Sequence, residues 1–404
     1  MQDPVEEADE VHTRDRNFRH FRDECDGVLA LFERAQEWAD LIRYLQKLQR
    51  TLNKYSQLPV IPDKVLVAKR LYQCLNPALP SGVHLKTLET YELIFSRIGP
   101  QRLARDLAFY SEGIFPLYRH ASYQVKPVLL DLFERHYKPL GATLVPCLPG
   151  LVLALLCAME DVGSDFAARA IALLDQLASV TPIGEFMRAV WGRLLHNAAV
   201  RLPALNYITM RFPTDHVSSS ASGRLPVTRA QFCPDPRGAV LRSLVVALQS
   251  GDLLVRRTAL ELLVNHFPLC EPRHERYPPT PTPGRASSAR PRRPRFAPST
   301  LERFDEAGEG AGGARANGDG SSAHHSERSA DDADDEADLL GEHELTLLLC
   351  AALGLLPLRE WSLSRRVQLW MLGGIFFGPS AAAPSPDDVL APAPRRLFCR
   401  ATLR

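Results

Sequence analysis

The stretch VHLKTLETYELIF, residues 83–95, carries apolar side chains at the spacing of an amphipathic helix. Leu88, Tyr91 and Phe95 follow one another at intervals of three and four residues, which places them on one helical face. Ser81 lies just before this stretch and Gly99 just after it, and these residue types are typical of helix starts and ends. The stretch therefore predicts one long helix with an apolar face.

Three later segments repeat this pattern. Each copy starts with a Val and a basic residue, and it has a Leu five positions after the Val, a large apolar residue eight after it and an aromatic residue twelve after it. The copies start at Val83, Val125, Val200 and Val255 and end at Phe95, Tyr137, Phe212 and Phe267. The first two copies start 42 residues apart, within the range of about 40–47 for HEAT or armadillo units, whereas the later intervals are 75 and 55. We predict an all-α fold, an irregular HEAT/armadillo-like α-solenoid in which each copy is the second helix of a pair. The alternative is a coincidence of apolar periodicity in unrelated helices.

The rest of the chain divides by composition. Residues 271–340 run from a Pro-Thr repeat through an Arg-Pro segment to an Asp-rich run, a composition that buries too little apolar surface to offset the entropy of ordering. We predict a disordered N-terminus at 1–17, a helical repeat domain at 18–270, a disordered insertion at 271–340, a continuation of the helical domain at 341–378 and a disordered tail at 379–404. Period-two alternation is nowhere sustained, which argues against strands.

Composition and charge exclude several function classes. Lys+Arg 48 against Asp+Glu 47 leaves a net charge of +1, so no global field favours nucleic acid and we predict no nucleic-acid partner. The eight cysteines are scattered without a Cys-x-x-Cys pair, which predicts reduced, mostly buried thiols in a cytosolic protein. The acidic N-terminus lacks the apolar region of a signal peptide. The longest apolar run, at 148–159, is shorter than the ~20 residues of a membrane span.

No catalytic motif is found. The sequence holds no Gly-x-Ser-x-Gly, His-Glu-x-x-His or P-loop pattern, so we predict a protein that is not an enzyme and has no cofactor or metal site. We interpret His324-His325 and the acidic run at 331–335 as solvated charge rather than a cation site, and His136 and His266 as residues near helix ends. Five helical carboxylates, Glu89, Glu92, Asp131, Glu134 and Glu261, are expected to face solvent or to pair locally with Lys86, Arg135 and Arg256.

Two basic groups are candidate contacts with an anionic surface. They comprise Lys64, Lys69, Arg70, Lys86, Arg97, Arg102 and Arg105 in the first repeats, and Arg290, Arg292, Arg293 and Arg295 in the insertion. On a solenoid the first group would line one ridge facing an anionic membrane, with an ordinary solvated face as the alternative. The second group is typical of a segment that binds acidic lipid, a protein partner or a nuclear-import receptor, and the neighbouring acidic run could mask it.

Several long stretches of the sequence are distinctive. They are residues 37–42 (EWADLI), 62–64, 68–84 (AKRLYQCLNPALPSGVH), 88–92, 98–104, 125–127, 200–203 and 364–373. In this order they resemble the N-terminal region of the Dopey family. The resemblance covers roughly residues 20–210, 238–270 and 339–378. The stretches 213–237 and 271–338, and the residues after 378, depart from it.

The resemblance implies a large peripheral-membrane scaffold of the Golgi and endosomes, acting in endosome-to-Golgi retrieval, polarity and organelle positioning. It implies a Mon-two-type Sec7-related scaffold, kinesin light chain and phosphoinositide-containing membrane as partners. It also implies a cytosolic location, peripheral on Golgi, trans-Golgi network and endosome membranes. Because the family's proteins are much longer, it implies that this chain is a fragment or a truncated gene model.

Three hypotheses about function follow. The first is a non-catalytic scaffold or adaptor in trafficking between endosomes and Golgi that works through protein–protein and anionic-lipid contacts. The alternative is a structural interaction module in organelle positioning that reaches membranes only through partners. An enzyme with an unrecognised site is the third, and it would require a deep pocket with several perturbed titratable groups.

Overall fold

The structure, a computed structural model, describes residues 4–160, 165–213, 227–267, 269 and 340–372, and within these ranges every regular element is helical. The first helices are α1 (Pro4–Arg14), α2 (Arg16–Phe32), α3 (Trp38–Lys54), α4 (Lys64–Cys74), α5 (Ser81–Arg105), α6 (Leu107–Leu117), α7 (Val125–Leu132) and α8 (Leu148–Ala158). The later ones are α9 (Asp165–Val180), α10 (Ile183–His196), α11 (Arg201–Arg211), α12 (Arg229–Phe232), α13 (Leu241–Leu248), α14 (Leu253–His266), α15 (Glu342–Leu353) and α16 (Trp361–Leu372).

Short helical turns connect or extend several of these helices. Those of 3₁₀ type are Tyr118–His120, Lys138–Leu144, Ala198–Val200 and Leu356–Leu358, and those of π type are Phe133–Tyr137 and Pro236–Val240. The π segment at Phe133–Tyr137 continues α7 directly, so the second pattern copy is one unbroken helical run. This all-helical architecture confirms the predicted fold class.

The helices from α2 onwards pack in two layers. In the first layer α2, α4, α6, α8, α10, α13 and α15 each contact the next, and α12 packs against α10. In the second layer α3, α5, α7 and α9 contact in sequence, as do α11, α14 and α16, while an ion pair between Asp175 and Arg211 joins α9 to α11. Helices therefore alternate between the layers along the chain, as in stacked helix pairs that each bury their apolar faces against a neighbour.

All four copies of the Val-basic pattern belong to the second layer, in α5, α7, α11 and α14. Their closing aromatic residues meet: the rings of Phe95 and Tyr137 lie 5.9 Å apart, and those of Phe212 and Phe267 lie 5.5 Å apart. The pattern thus marks the residues through which adjacent second-layer helices stack.

The irregular intervals have structural causes. The pair α8 and α9 lies between the second and third copies without carrying the pattern, which accounts for the interval of 75 residues. Between the third and fourth copies, α12 and the π turn at Pro236–Val240 come before α13, and residues 214–226 lie outside the described ranges. The repeats are therefore degenerate in sequence while their layer order is kept.

The chain's start differs from the prediction. Residues 1–17 were expected to be disordered, but Pro4–Arg14 forms α1 and Arg16 begins α2. The acidic residues Glu6 and Glu7 in the first turn and Arg14 in the last turn favour this helix because they complement its dipole. The prediction is wrong over residues 4–17 because the apolar residues of α1, Val5, Ala8 and Val11, are too few and too small to give a clear periodic signal.

The helices after the predicted insertion pack on the same stack. α15 contacts α13, and α16 contacts α14, where the Trp370 indole N–H donates to the Phe267 carbonyl at 2.7 Å. The insertion at 271–340, apart from Leu340, and the tail at 379–404, both predicted to be disordered, lie outside the described residues, as do 373–378.

Candidate functional site

A groove of about 940 Å³ lies at the N-terminal end of the stack. Its walls are α1, the start of α2, the loop at 59–63, α4, the end of α5 and Tyr110 of α6. Gly99 positions one wall: its φ of +72° interrupts α5, so the segment carrying Arg102 and Arg105 leaves in a new direction. Five cationic side chains line the groove, namely Arg22, Lys64, Lys69, Arg102 and Arg105.

Asp9 of α1 occupies the centre of this basic lining. Its two carboxylate oxygens accept hydrogen bonds from the Arg102 Nε–H at 2.7 Å and from an Arg105 Nη–H at 2.6 Å. Burial alone would raise the pKa of Asp9, but the hydrogen bonds from the two arginines outweigh it and hold the pKa below its usual range. The same contact raises the pKa of the Arg105 guanidinium. The carboxylate therefore stays ionised at neutral pH and offsets one of the two guanidinium charges.

A second ion pair links Lys64 of α4 to Asp106, the residue between α5 and α6. Lys64 Nζ lies 2.6 Å from the Asp106 carboxylate, and Arg105 Nε lies 3.6 Å from the same carboxylate. Asp106 is buried, so its charge needs these partners. Lys69 is exposed at the groove edge, beside Val65 and Leu66, which are 55% and 37% exposed.

The remaining candidates lie elsewhere. Arg70 pairs with Glu33 and lies over the Phe32 ring, 4.6 Å from its centroid, and Lys86 pairs with Glu89 at 2.5 Å. Arg97 donates to the Leu52 carbonyl. Arg290, Arg292, Arg293 and Arg295 lie outside the described residues. The structure thus brings together Lys64, Lys69, Arg102 and Arg105, and within the described ranges each of these except Lys69 has a carboxylate partner.

The helical carboxylates pair differently from the prediction. Glu89 pairs locally with Lys86, three residues away, as expected, whereas Glu92 pairs with Arg135 across 43 residues. Asp131 and Glu134, however, both bind Arg169 of α9, and Glu261 binds Arg366 of α16 rather than Arg256. The local prediction is wrong for Glu92, Asp131, Glu134 and Glu261 because their partners come from an adjacent helical segment of the second layer, which sequence spacing does not reveal.

The two histidines near helix ends have ordinary structural surroundings. His136 Nε2 lies 2.9 Å from the Glu92 carboxylate, where burial would raise the pKa of Glu92 but the hydrogen bonds from His136 and Arg135 lower it. His266 stacks on Phe212 with ring centroids 4.2 Å apart, and burial, with the nearby charge of Arg229, lowers its pKa. His324-His325 and the acidic run at 331–335 lie outside the described residues.

The described cysteines are free thiols. Burial raises the pKa of Cys25, Cys74 and Cys233 to about 12, which keeps these thiols protonated and unreactive. Within the described ranges, no group of three or more His, Cys, Asp and Glu side chains could hold a metal ion. None of the described helices is long and apolar enough to cross a membrane.

A second cavity of about 730 Å³ lies between α6, α8 and the turn after α10. Phe115, Leu153 and Ala154 give it an apolar lining, and Cys157 lies at its wall with a pKa that burial raises to about 11. Its His120 and His196 do not make hydrogen bonds to that thiol in the described contacts, so no nucleophile–base pair is assembled here.

Sequence reasoning found four of the groove's five cations, missed Arg22, and also missed Asp9 and Asp106. Asp106 lies six residues after the Gly99-Pro100 break, where α5 ends and α6 begins, and no separate sequence signal points to it. Asp9 gave none either, because it meets Arg102 and Arg105 across more than ninety residues of sequence.

Comparison with known proteins shows that this chain matches a protein family. A family model described as Dopey, N-terminal, matches residues 15–278, which covers α2 to α14 and includes most of the groove's lining. The chain belongs to the Dopey family. This confirms the resemblance of its distinctive stretches, and it makes the two-layer helical stack the structure of a Dopey N-terminal domain.

Curated relatives from several animals also match this chain. Protein DOP1B of Xenopus laevis is 37% identical over 254 residues, the DOP1 homolog of Drosophila melanogaster is 39% identical over 253, and protein pad-1 of Caenorhabditis elegans is 38% identical over 257. These matches cover 62–63% of this chain and 9–11% of the relatives, so the chain matches about a tenth of their length. No solved structure matches it significantly.

Proposed function

We propose that this chain is a non-catalytic scaffold of membrane trafficking between endosomes and Golgi, located in the cytosol and peripherally on Golgi, trans-Golgi network and endosome membranes. The observation that carries the proposal is the two-layer stack from α2 to α16. Stacked helix pairs present continuous surfaces for protein partners, which is how helical repeat proteins bind. Membership of the Dopey family supports the same function.

Two routes to the membrane are open to such a scaffold. Direct attraction to anionic lipid gains about 1 kcal/mol for each Lys or Arg near the surface, provided that the charge is free. In the groove, Lys64 is paired with Asp106, and Arg102 and Arg105 are paired with Asp9. This pairing favours the second route, recruitment through a partner. We propose a Mon-two-type Sec7-related scaffold for retrieval and kinesin light chain for organelle positioning.

Vesicle flotation separates the two routes. The full chain is mixed with phosphatidylcholine vesicles, with or without a phosphoinositide, at rising salt and with or without the Mon-two-type scaffold. We expect weak, salt-sensitive flotation of the chain alone, because exposed charges are screened over about 10 Å at 0.1 M salt, and strong flotation once the partner is added. Lys69→Glu should reduce the weak component, whereas Lys47→Glu, an exposed Lys on α3, should not.

Strong flotation of the chain alone would contradict partner recruitment, and equal flotation on neutral vesicles would contradict the electrostatic contact. The trafficking function has its own test in cells. A fluorescent chain should co-localise with trans-Golgi and endosome markers and become diffuse when the partner scaffold is depleted. A diffuse signal in untreated cells would contradict the proposed location.

A further inference from the structure

The groove already holds an acidic helix, which is α1 itself. Glu6, Asp9 and Glu10 of α1 line it, and the rest of the chain contributes five cations against the two carboxylates of Asp63 and Asp106. With α1 absent, the lining would carry an excess of positive charge. The surface is therefore complementary to a negatively charged helix, and α1 supplies that complement from within the chain.

α1 fits the groove only loosely. None of its described side chains is buried, and its Val11 is 68% exposed. Val65 and Leu66 of α4, which also line the groove, are 55% and 37% exposed. Tyr110 is 1% exposed at the groove wall, and its hydroxyl has no hydrogen-bond partner among the described residues. α1 thus binds the two arginines of the groove. It leaves Val65 and Leu66 partly exposed and the Tyr110 hydroxyl without a hydrogen-bond partner among the described residues.

The junction between α1 and α2 allows α1 to leave without disturbing the stack. Asp15 alone separates the two helices, in extended conformation, and its carboxylate accepts a hydrogen bond from the Asn17 backbone N–H at 3.0 Å. This contact caps α2 independently of α1. α2 also buries Phe21, Cys25 and Leu29, which are not part of the groove lining, and it packs against α3, so its packing does not depend on α1.

We propose that this groove is a docking site for an acidic amphipathic helix of a protein partner, and that α1 is its internal competitor. The partner helix places one carboxylate between Arg102 and Arg105, as Asp9 does, and lays apolar side chains on Val65 and Leu66, which α1 does not reach. A membrane surface is a poorer occupant because Arg102 and Arg105 line a concave groove, which a helix can enter and a flat lipid surface cannot. The docking site is independent of whether the chain acts in trafficking.

Because α1 competes for the groove, a partner helix must have a higher intrinsic affinity for it than α1 has. A segment tethered by a short linker acts at an effective concentration in the millimolar range, so a ligand with the same contacts cannot displace it at micromolar concentration. Extra apolar contacts with Val65 and Leu66 supply the difference. Conversely, weakening α1 should open the groove to a ligand no better than α1 itself.

Fluorescence anisotropy with a labelled peptide tests this directly. The probe is a capped peptide of residues 4–14, PVEEADEVHTR, titrated with the full 404-residue chain. We expect the Asp9→Asn chain to bind the peptide at least tenfold more tightly than the wild-type chain, because the variant's own α1 no longer holds the two arginines. The Glu7→Gln chain, which changes the same charge at an exposed α1 position, should bind like wild type.

Two further measurements keep the proposal falsifiable. Adding Arg102→Ala and Arg105→Ala to the Asp9→Asn chain should abolish the gain, and a peptide with Asn at its Asp9 position should bind none of the chains, with helical content checked by circular dichroism. No gain in the Asp9→Asn chain would overturn the proposal. A gain on phosphatidylserine vesicles without a gain for the peptide would also overturn it, since the occupant would then be a membrane.

Discussion

The first and last described helices, α1 and α16, are held by different forces. α16 buries Leu363, Val367 and Trp370, and it adds the Trp370 hydrogen bond to Phe267 and the ion pair between Arg366 and Glu261. α1 buries none of its described side chains, and its named contacts with the stack are the two hydrogen bonds of Asp9. One helix is therefore part of the core, and the other is attached to the core's surface by charge.

This difference matters because the two forces respond to different conditions. Burial of apolar surface is roughly proportional to area and insensitive to salt, whereas contacts between partly exposed charges weaken as salt screens them. A helix held by charge can exchange with a competing ligand without unfolding the domain. The contrast predicts that α16 is a structural element and α1 a reversible one.

Trp370→Ala should have the largest effect. Removing a fully buried Trp typically costs about 3–5 kcal/mol, and here the indole also donates to the Phe267 carbonyl that closes α14. We expect α16 to detach and the free energy of unfolding to fall by about that amount, measured by urea denaturation followed by circular dichroism.

Trp361→Ala is the matched control on the same helix. Trp361 is 72% exposed, so its loss should change the free energy of unfolding by about 0.5 kcal/mol or less. Equal destabilisation by the two variants would show that α16 is not held by its buried face, and the contrast with α1 would fail.

Arg169→Met should have a smaller effect. Arg169 links α9 to α7 through Glu134 at 2.8 Å and Asp131 at 2.5 Å, and these helices also pack through buried apolar residues. Because about a third of the Arg169 side chain is exposed, screening limits the loss to about 1 kcal/mol. Arg188→Met removes a more exposed pair with Glu185 on one helix and should cost close to nothing. A loss of several kcal/mol for Arg169→Met would mean that charge, not burial, holds the second layer.

The sequence predicted the apolar faces well and the charge contacts poorly. The closing aromatic residues Phe95, Tyr137, Phe212 and Phe267 could be found because helical period and burial go together. The pair α8 and α9 lacks the Val-basic start, so its place in the stack was visible only as an overlong interval.

The groove could be only half predicted, for a physical reason. Lys64, Arg102 and Arg105 are local features of a basic stretch, but their partners are fixed by tertiary packing. Asp9 lies on α1, whose few small apolar residues give no signal of where it packs. Whether a cation is free or already paired cannot be inferred from its spacing, and that distinction decides whether it can attract a membrane.

A pH change should weaken the support of α16 and leave α1 in place. Burial lowers the pKa of His266, so the unfolded chain takes up a proton near pH 6.5 while folded His266 stays neutral. The folded state therefore keeps its full stability above pH 6.5 and loses stability as the pH falls below that value.

We expect the free energy of unfolding in urea to decline between pH 7.5 and 5.5, with a shallower decline in His266→Gln. His20→Gln, an exposed control, should not change the slope. An unaltered slope in His266→Gln would contradict this assignment. The Asp9 carboxylate has a lowered pKa, so its contacts persist throughout this range.

Asp9→Asn should have the smallest effect on global stability and the clearest local one. The free energy of unfolding should stay within about 0.5 kcal/mol of wild type, because none of the described α1 side chains is buried. Hydrogen exchange should nevertheless show that the amides in the second half of α1 lose protection, while those of α16 keep it. An isolated helix of this length is marginal in water, so α1 should unfold once detached.

Raising salt from 0.05 to 0.5 M should reproduce this loss of protection in the wild-type chain. Glu7→Gln, the control variant, should not cause the loss. If α1 kept its protection in the Asp9→Asn chain, its half-buried side chains would have to hold it, and α1 would belong to the core as α16 does.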